Sequence, residues 1–241
     1  MGSQLADGPG GNVDWSVVHW VNGLAEHLPH GVDSALAYLG EYGVPFASVL
    51  LLLGAWLTAR REQSAPAGVA GVLWAGLAAA LALLMNIPVR AMVERPRPFV
   101  DHPGQIDLLL KHQSNGSFAS DHATFTMAVA IGLFLVNRRY GLIGIGLAAI
   151  EGFLRMFAGV HYPSDILGGY ALGTAVVLLL APIAMAVLTP FVQALTRTAL
   201  APLVRAPARA SRRGRGPAVH PVGPGDGPGS DPERPDQDLA A

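Results

Sequence analysis

Three short polar segments carry residue types that can hold and transfer a phosphoryl group. They read RAMVERPRP at residues 90–98, SFASDHAT at 117–124 and RMFAGVHYPSD at 155–165. Arginine suits phosphate because its planar guanidinium donates two parallel hydrogen bonds. A serine that begins a helix also suits it, because the first backbone N–H groups and the positive end of the helix dipole attract anions. We therefore predict a phosphate site formed by three arginines and one serine, namely Arg90, Arg97, Arg155 and Ser120.

Two histidines, one in the second segment and one in the third, can divide the chemistry between them. One imidazole can attack phosphorus and form a covalent phosphohistidine. The other can protonate the departing oxygen as a general acid. Asp165 lies four residues after His161, so its carboxylate can accept the ring N–H of that histidine and fix its tautomer. The predicted catalytic residues are therefore His122, His161 and Asp165.

Composition indicates that membrane helices must position these segments. The chain is 51% hydrophobic and 14% charged, whereas a soluble domain carries about 25% charged residues. Five apolar runs approach or reach the roughly 20 residues that cross a bilayer as a helix, at 35–59, 67–88, 120–137, 140–158 and 165–188. Helices are expected because backbone that faces lipid must satisfy its own hydrogen bonds. A water-soluble enzyme, a nucleic-acid binder and a disordered scaffold are thereby excluded, and the absence of cysteine excludes disulfides and thiolate chemistry.

The predicted fold is an all-α, polytopic membrane bundle over residues 13–188. Residues 1–12 form a polar segment, and 13–28 read as an amphipathic helix whose Trp15 and Trp20 suit the membrane surface. If residues 13–28 cross the membrane instead, the chain has six spans. Residues 189–206 are a candidate surface helix, and 207–241, rich in Pro, Gly and Arg, are predicted to be disordered.

The distribution of arginines predicts the orientation in a cell membrane. Arg60, Arg61, Arg138, Arg139 and the arginines after the fifth span fall on one side of a five-span chain, which marks that side, and the C-terminal tail, as cytoplasmic. The extracytoplasmic side then holds a set of basic residues against the usual bias, namely Arg90, Arg95, Arg97, Lys111 and Arg155. An anionic ligand there would explain them. The alternative is structural ion pairing with the acidic residues Glu94, Asp101, Asp107 and Glu151.

The three segments resemble the motifs of the type 2 phosphatidic acid phosphatase (PAP2) superfamily of membrane lipid phosphatases. The first motif is Lys, six residues, then Arg-Pro, and its places are held here by Arg90, Arg97 and Pro98. The second, Pro-Ser-Gly-His, reads ASDH at 119–122. The third is Ser-Arg, five residues, His, three residues, Asp, and reads Leu154, Arg155, His161, Asp165. The resemblance covers about residues 13–188.

This resemblance implies a role for each matching residue and a reaction without metal or other cofactor. It implies that His161 is the nucleophile, that His122 is the leaving-group acid, and that phosphate is bound by Arg90, Arg97, Ser120, Asp121 and Arg155. Asp121, in place of the glycine, resembles the subgroup that acts on undecaprenyl diphosphate. The implied reaction gives undecaprenyl phosphate, which recycles the cell-wall lipid carrier. The implied partners are a lipid phosphate or diphosphate and membrane lipids, and not nucleic acid.

Other functions remain open from the sequence. The same chemistry could act on phosphatidate, phosphatidylglycerol phosphate or a prenyl-linked sugar phosphate. An anion transporter would need charged residues near the bilayer midplane and repeated halves, which the sequence does not show. An inactive lipid-binding scaffold would have no need of both histidines. Glu151 lies four residues before Arg155, so an ion pair between them is expected rather than a catalytic role for Glu151.

Overall fold

The computed structural model describes residues 9–110 and 115–206, and within these residues all regular secondary structure is helical. The helices are α1 Pro9–Gly23, α2 His30–Tyr38, α3 Val44–Ala59, α4 Ala65–Val93, α5 Pro98–Asp101, α6 Asp121–Val136, α7 Arg138–Phe157, α8 Pro163–Leu195 and α9 Ala201–Val204. A 3₁₀ turn, Ala25–His27, follows α1, and a π-helical turn, Leu39–Gly43, joins α2 to α3. The predicted disordered tail, 207–241, and most of the predicted polar segment, 1–12, lie outside the described residues.

Five long apolar helical segments occur in the predicted order, and the all-α membrane bundle is confirmed. Four of them are long enough to cross a membrane, namely His30–Ala59, Ala65–Asp101, Arg138–Phe157 and Pro163–Leu195, whereas Asp121–Val136 is a shorter apolar helix. The first begins before residue 35 because the π-helical turn makes α2 and α3 continuous. The last extends past residue 188, into the region predicted as a separate surface helix. Helix α1 precedes the first span, and its place at the membrane surface stays a prediction.

Helix α6 is the centre of the bundle and packs against α3, α4, α7 and α8. Glycines allow its close contacts. A Cβ atom added to Gly132 would lie 2.6 Å from the Cβ of Ala75 in α4, and one added to Gly173 in α8 would lie 2.5 Å from the backbone oxygen of Thr124. Lipid provides no hydrophobic drive for helices to associate, so the van der Waals packing that such close contacts allow contributes to holding them together. The start of α6 is thereby fixed between the helices that carry the other two motifs.

We expect Gly173→Ala to lower the free energy of unfolding by about 1–3 kcal/mol, because the added methyl group meets backbone rather than a flexible side chain. Gly146→Ala is the matched control, since nothing lies within 4 Å of a Cβ added there. It should leave the protein unchanged or stabilise it by about 0.5–1 kcal/mol, as alanine favours helix. Thermal unfolding in detergent micelles, followed by tryptophan fluorescence, measures both. Equal melting temperatures for the two variants would contradict this packing.

The basic segments meet at one end of the bundle. The backbone N–H of Ala206 donates to the carbonyl of Arg60 over 2.8 Å, and the indole N–H of Trp56 donates to the carbonyl of Leu203 over 3.0 Å. The segment after α8 therefore lies beside the turn between α3 and α4. The opposite end of α4 carries the first predicted motif.

Candidate active site

The second motif forms the start of α6. Ser120 has an extended conformation and is the N-cap, with its Oγ accepting from the backbone N–H of Ala123 at 3.5 Å. A serine before an apolar run favours such a start because its side chain satisfies one of the first free N–H groups. The backbone N–H of Ser120 donates to the carbonyl of Asp165 over 3.1 Å, and Ser120 is fully buried. The beginnings of α6 and α8 are thus joined directly.

The third motif spans the turn from α7 to α8. Gly159 lies two residues after the end of α7 and has φ +75°, which a residue with a side chain adopts only with strain. This turn directs His161 back toward the other motifs. Asp165 then caps α8, since its Oδ2 accepts the backbone N–H of Tyr162 over 2.8 Å. His161 and Asp165 are therefore both buried at the start of α8.

The contacts of His161 define its neutral tautomer. Its Nε2 lies 3.2 Å from Nη1 of Arg97. A guanidinium can only donate, so Nε2 accepts and the ring proton is on Nδ1. Nδ1 faces Oδ2 of Asp165 at 3.6 Å, which is too long for a hydrogen bond but close enough for the carboxylate to attract the proton. The nucleophilic lone pair therefore lies on the nitrogen that faces the phosphate-binding arginine.

Burial lowers the pKa of His161 to about 4, and the positive charges of Arg97 and Arg155 act in the same direction. Asp165 opposes them by favouring the protonated ring. The net effect keeps this imidazole neutral at physiological pH. A neutral imidazole is the form that can attack phosphorus.

This pKa shift predicts a pH dependence of stability. The pKa of His161 lies below its ordinary value of 6.5. As the pH falls from 6.5 toward 4, the unfolded chain gains a proton at this position while the folded protein does not, so stability is lost. We expect the melting temperature of His161→Asn to fall less over this interval than that of the unaltered protein. Thermal unfolding at several pH values measures both slopes, and identical slopes would contradict the shift.

Arg97 is held in place by three backbone and side-chain acceptors. Its Nε donates to the carbonyl of Asn115 over 3.1 Å, its Nη2 to Oδ1 of Asn115 over 2.9 Å, and its Nη1 to the carbonyl of Val160 over 3.0 Å. Arg97 is only 3% exposed. The guanidinium is therefore fixed beside His161. Asn115 was not predicted as a site residue, because its contact with Arg97 depends on tertiary packing rather than on local sequence.

Arg90 is paired with Asp121. Its Nη2 lies 2.5 Å from Oδ2 of Asp121, whose Oδ1 accepts from the Asn86 amide over 2.7 Å. The sequence predicted Asp121 as a phosphate-binding residue. Its carboxylate is instead engaged with Arg90 and Asn86, so what it can offer an anion is its backbone N–H in the first turn of α6. The charge that Asp121 brings to this motif is thus balanced by the arginine of the first motif.

Arg155 is paired with a residue that the sequence did not single out, Glu41. Both terminal nitrogens of Arg155 donate to Oε2 of Glu41, over 2.9 and 2.8 Å. The expected pair with Glu151 is present at 3.8 Å between Nε and Oε1. Glu41 also contacts the second motif, since its backbone carbonyl lies 3.2 Å from Nε2 of His122. The sequence signal that could have identified Glu41 is its position as an acidic residue near the beginning of the first apolar run.

Arg95 is a second residue whose role was missed. Its Nη1 lies 3.0 Å from Oδ1 of Asp165, and its Nη2 lies 2.8 Å from Oδ2 of Asp14 in α1. Its guanidinium stacks 4.1 Å from the ring centroid of Tyr162. Arg95 therefore balances the carboxylate that faces His161 and ties α1 to the start of α8. The sequence grouped Arg95 only with the basic residues of this end.

All eight predicted site residues lie at one end of the bundle. Arg97 lies close enough to interact electrostatically with Arg90, Arg155, Asp121 and Asp165, so the three motifs meet at this end. Within the described part of the chain, no cluster of three His, Cys or carboxylate side chains could hold a metal ion. Guanidinium groups and a helix start around an imidazole can bind a tetrahedral phosphoryl dianion and present it to a nucleophile.

A comparison with known families gives the same interpretation as this geometry. Residues 71–199, more than half of the chain, match the PAP2 superfamily. The chain belongs to the PAP2 superfamily. It is therefore a multi-pass membrane lipid phosphatase, and a phosphohistidine mechanism is typical of its family.

Individual PAP2 relatives differ in the lipid that they act on. The chain is 31% identical over 156 residues to the undecaprenyl-diphosphatase BcrC of Bacillus subtilis, covering 65% of this chain and 76% of the relative. It is 37% identical over 142 residues to the decaprenylphosphoryl-5-phosphoribose phosphatase of Mycobacterium tuberculosis, covering 58% and 72%. The crystal structure of Aquifex aeolicus LpxE has the same fold, with TM-score 0.54, 22% identity and coverage of 74% of this chain and 98% of that one.

Proposed function

We propose that this PAP2 phosphatase hydrolyses undecaprenyl diphosphate to undecaprenyl phosphate and inorganic phosphate, and so recycles the lipid carrier of cell-wall synthesis. The observation that carries the chemistry is the contact of 3.2 Å between His161 Nε2 and Arg97 Nη1, which brings a neutral imidazole nitrogen to a phosphate-binding group. The similarity to the Bacillus subtilis undecaprenyl-diphosphatase supports the choice of lipid.

In the first step, the N–H of Arg97 that donates to His161 Nε2 turns to an oxygen of the bound phosphoryl group, and the freed Nε2 attacks the terminal phosphorus. A nitrogen–phosphorus bond forms and the bond from phosphorus to the bridging oxygen breaks. His122 gives its proton to that oxygen, which leaves as undecaprenyl phosphate. Arg90, Arg97, Arg155 and the N–H groups at the start of α6 stabilise the charge on the equatorial oxygens, which is usually the largest contribution to such catalysis.

In the second step, water attacks the phosphohistidine. His122, now without its proton, accepts one from the water, and the nitrogen–phosphorus bond breaks to release phosphate. His161 regains its lone pair on Nε2, while Asp165 keeps the ring proton on Nδ1. Both histidines thereby return to their starting protonation states.

Two largely apolar cavities beside Asp121 suit the isoprenoid chain of this substrate. One, of about 290 Å³, is lined by Glu41, Pro45, Leu83, Asp121, His122 and Phe125. The other, of about 520 Å³, is lined by Ala80, Leu83, Leu84, Ile87, Arg90 and Asp121. Both cavities are lined by charged groups from the motif-bearing end of the bundle and by apolar side chains of the helices. A lipid could therefore present its head group to His161 while its chain stays among apolar residues.

We propose that this chemistry occurs at the extracytoplasmic face and that the C-terminal tail is cytoplasmic. The basic segments near Arg60 and Arg205 share the end of the bundle opposite the motifs. Clusters of arginine favour the cytoplasmic side. Labelling of single cysteines introduced at exposed positions, such as Glu62→Cys, by a membrane-impermeant maleimide in intact cells tests this orientation. Labelling of Glu62→Cys without permeabilising the cells would reverse it.

The substrate proposal is tested by phosphate release from purified protein in detergent micelles with a chelator present. The panel contains undecaprenyl diphosphate, phosphatidate, phosphatidylglycerol phosphate and a prenyl-linked sugar phosphate. We expect the largest kcat/KM for undecaprenyl diphosphate. Release from phosphatidate but not from prenyl diphosphates would overturn the choice of lipid. No release from any member of the panel would overturn the assignment as a phosphatase of these lipids.

A second candidate substrate is a prenyl-linked sugar phosphate. The similarity to the Mycobacterium tuberculosis phosphatase, at 37% identity, favours it. The chemistry at His161 would be unchanged, because only the group attached to the phosphoryl differs. The same panel separates the two candidate substrates, because it contains both lipids. Hydrolysis of the phosphomonoester on the sugar leaves a free sugar hydroxyl.

A further inference from the structure

Glu41 covers the arginine of the third motif. The Arg155 side chain is 0% exposed, while that of Glu41 is 22% exposed. Both terminal nitrogens of Arg155 donate to one oxygen of Glu41. A ligand oxygen therefore cannot reach this guanidinium while Glu41 stays in place. The carboxylate and a phosphoryl group must use the same donors.

The backbone around Glu41 is shaped to hold it there. Glu41 lies in the π-helical turn Leu39–Gly43, a conformation frequent at functional sites. A Cβ atom added to Gly40 would lie 2.8 Å from the Cβ of Leu154, the residue before Arg155, so only glycine allows this approach. The carbonyl of Glu41 also accepts from Nε2 of His122. Glu41 thus contacts two of the motifs at once and lines the cavity beside them with Asp121 and His122.

We propose, on the basis of the phosphatase function proposed above, that Glu41 competes with the phosphoryl group for Arg155 and thereby weakens the binding of free phosphate. Phosphate is the product, so Glu41 promotes its release. When a phosphoryl group binds, the Glu41 side chain turns away from Arg155. When it leaves, the carboxylate returns to Arg155.

The expected size of the effect on phosphate affinity follows from the fraction of molecules in which Glu41 is paired with Arg155. The apparent affinity for phosphate is the intrinsic affinity multiplied by the fraction of molecules that can bind it. A pair formed in about nine-tenths of molecules leaves about one-tenth able to bind, so phosphate binding is about tenfold weaker. Two charge-assisted hydrogen bonds from a buried guanidinium favour the paired state. The displaced carboxylate also stands near a dianion and repels it. Substrate and product need the same arginine, so KM and the inhibition constant of phosphate should change together.

The test is the dissociation constant of inorganic phosphate for the full-length protein in micelles, measured by isothermal titration. We expect Glu41→Gln to bind phosphate about tenfold more tightly than the unaltered protein, because a neutral amide holds Arg155 less strongly. Glu26→Gln is the matched control. It removes the same charge from a residue that is exposed in the turn after α1. It should leave the dissociation constant unchanged.

Weaker binding in Glu41→Gln would mean that Glu41 only orients Arg155, and would overturn the proposed competition. Unchanged binding, or no phosphate binding by any variant, would overturn it as well. If Glu41→Gln does not fold, Glu41→Asp decides the question. It keeps the charge on a shorter side chain that reaches Arg155 less well, so it should tighten phosphate binding measurably but less than tenfold. Phosphate binding is measured without turnover, so it is independent of the hydrolysis assay. If the protein hydrolysed no lipid phosphate but Glu41→Gln still bound phosphate more tightly, the proposed function would fail and the competition at Arg155 would stand.

Discussion

Replacing His161 by asparagine is expected to lower kcat for lipid diphosphate hydrolysis by at least about 10⁴-fold. Asparagine has no nitrogen lone pair that can form the bond to phosphorus, so the covalent route is lost entirely. The arginines and the start of α6 remain, and they continue to bind the head group. KM should therefore change much less than kcat. Initial rates of phosphate release over a range of substrate concentrations measure the two separately.

The matched control is His27→Asn, which alters an exposed histidine in the turn after α1 and should keep full activity. Rapid quenching of the unaltered enzyme into alkali during turnover should trap labelled phosphate on the protein, and His161→Asn should trap none. Activity above about one-hundredth of normal in His161→Asn would exclude His161 as the nucleophile.

Arg97→Lys is expected to lower kcat/KM by about 10²-fold although the charge is kept. A lysine has one nitrogen, whereas Arg97 uses separate nitrogens for Asn115 and for His161. A single ammonium cannot hold the loop at Asn115 and also face Nε2 of His161. The phosphoryl group then loses a donor that was positioned before the reaction. Steady-state kinetics measures the loss, and thermal unfolding checks that the bundle remains folded.

Arg139→Lys provides the comparison, because Arg139 is exposed in the first turn of α7, away from the motifs. It should change kcat/KM by less than twofold. If Arg97→Lys were as active as Arg139→Lys, the charge alone would suffice and the fork of donors would have no role.

The parts of the site that follow from local sequence could be predicted. Ser120 begins α6 because a capping side chain precedes an apolar run, and both features can be read within a few residues. The same holds for His161 and Asp165, whose spacing of four residues brings them together at the start of one helix. The apolar runs likewise predicted the order of the membrane helices.

The pairing of charges could not be predicted, because it depends on tertiary packing. Glu41 lies 114 residues from Arg155, and Asp14 lies 81 residues from Arg95. Hydropathy gives the helices but not the rotation at which one faces another. Of the four acidic residues considered as structural partners, Glu151 is the one that pairs with an arginine of the motifs, and only at 3.8 Å.

Arg95 and Arg155 each pair with one carboxylate that lies outside the region matching the superfamily. Asp14 and Glu41 precede residue 71, where the PAP2 match begins, while all three motifs follow it. A chimera that received only the motif-bearing region from a homologue would lack Asp14 and Glu41, and would leave Arg95 and Arg155 with Asp165 and Glu151 as their carboxylate partners. A chimera that keeps both ion pairs therefore needs the amino-terminal helices together with the motifs.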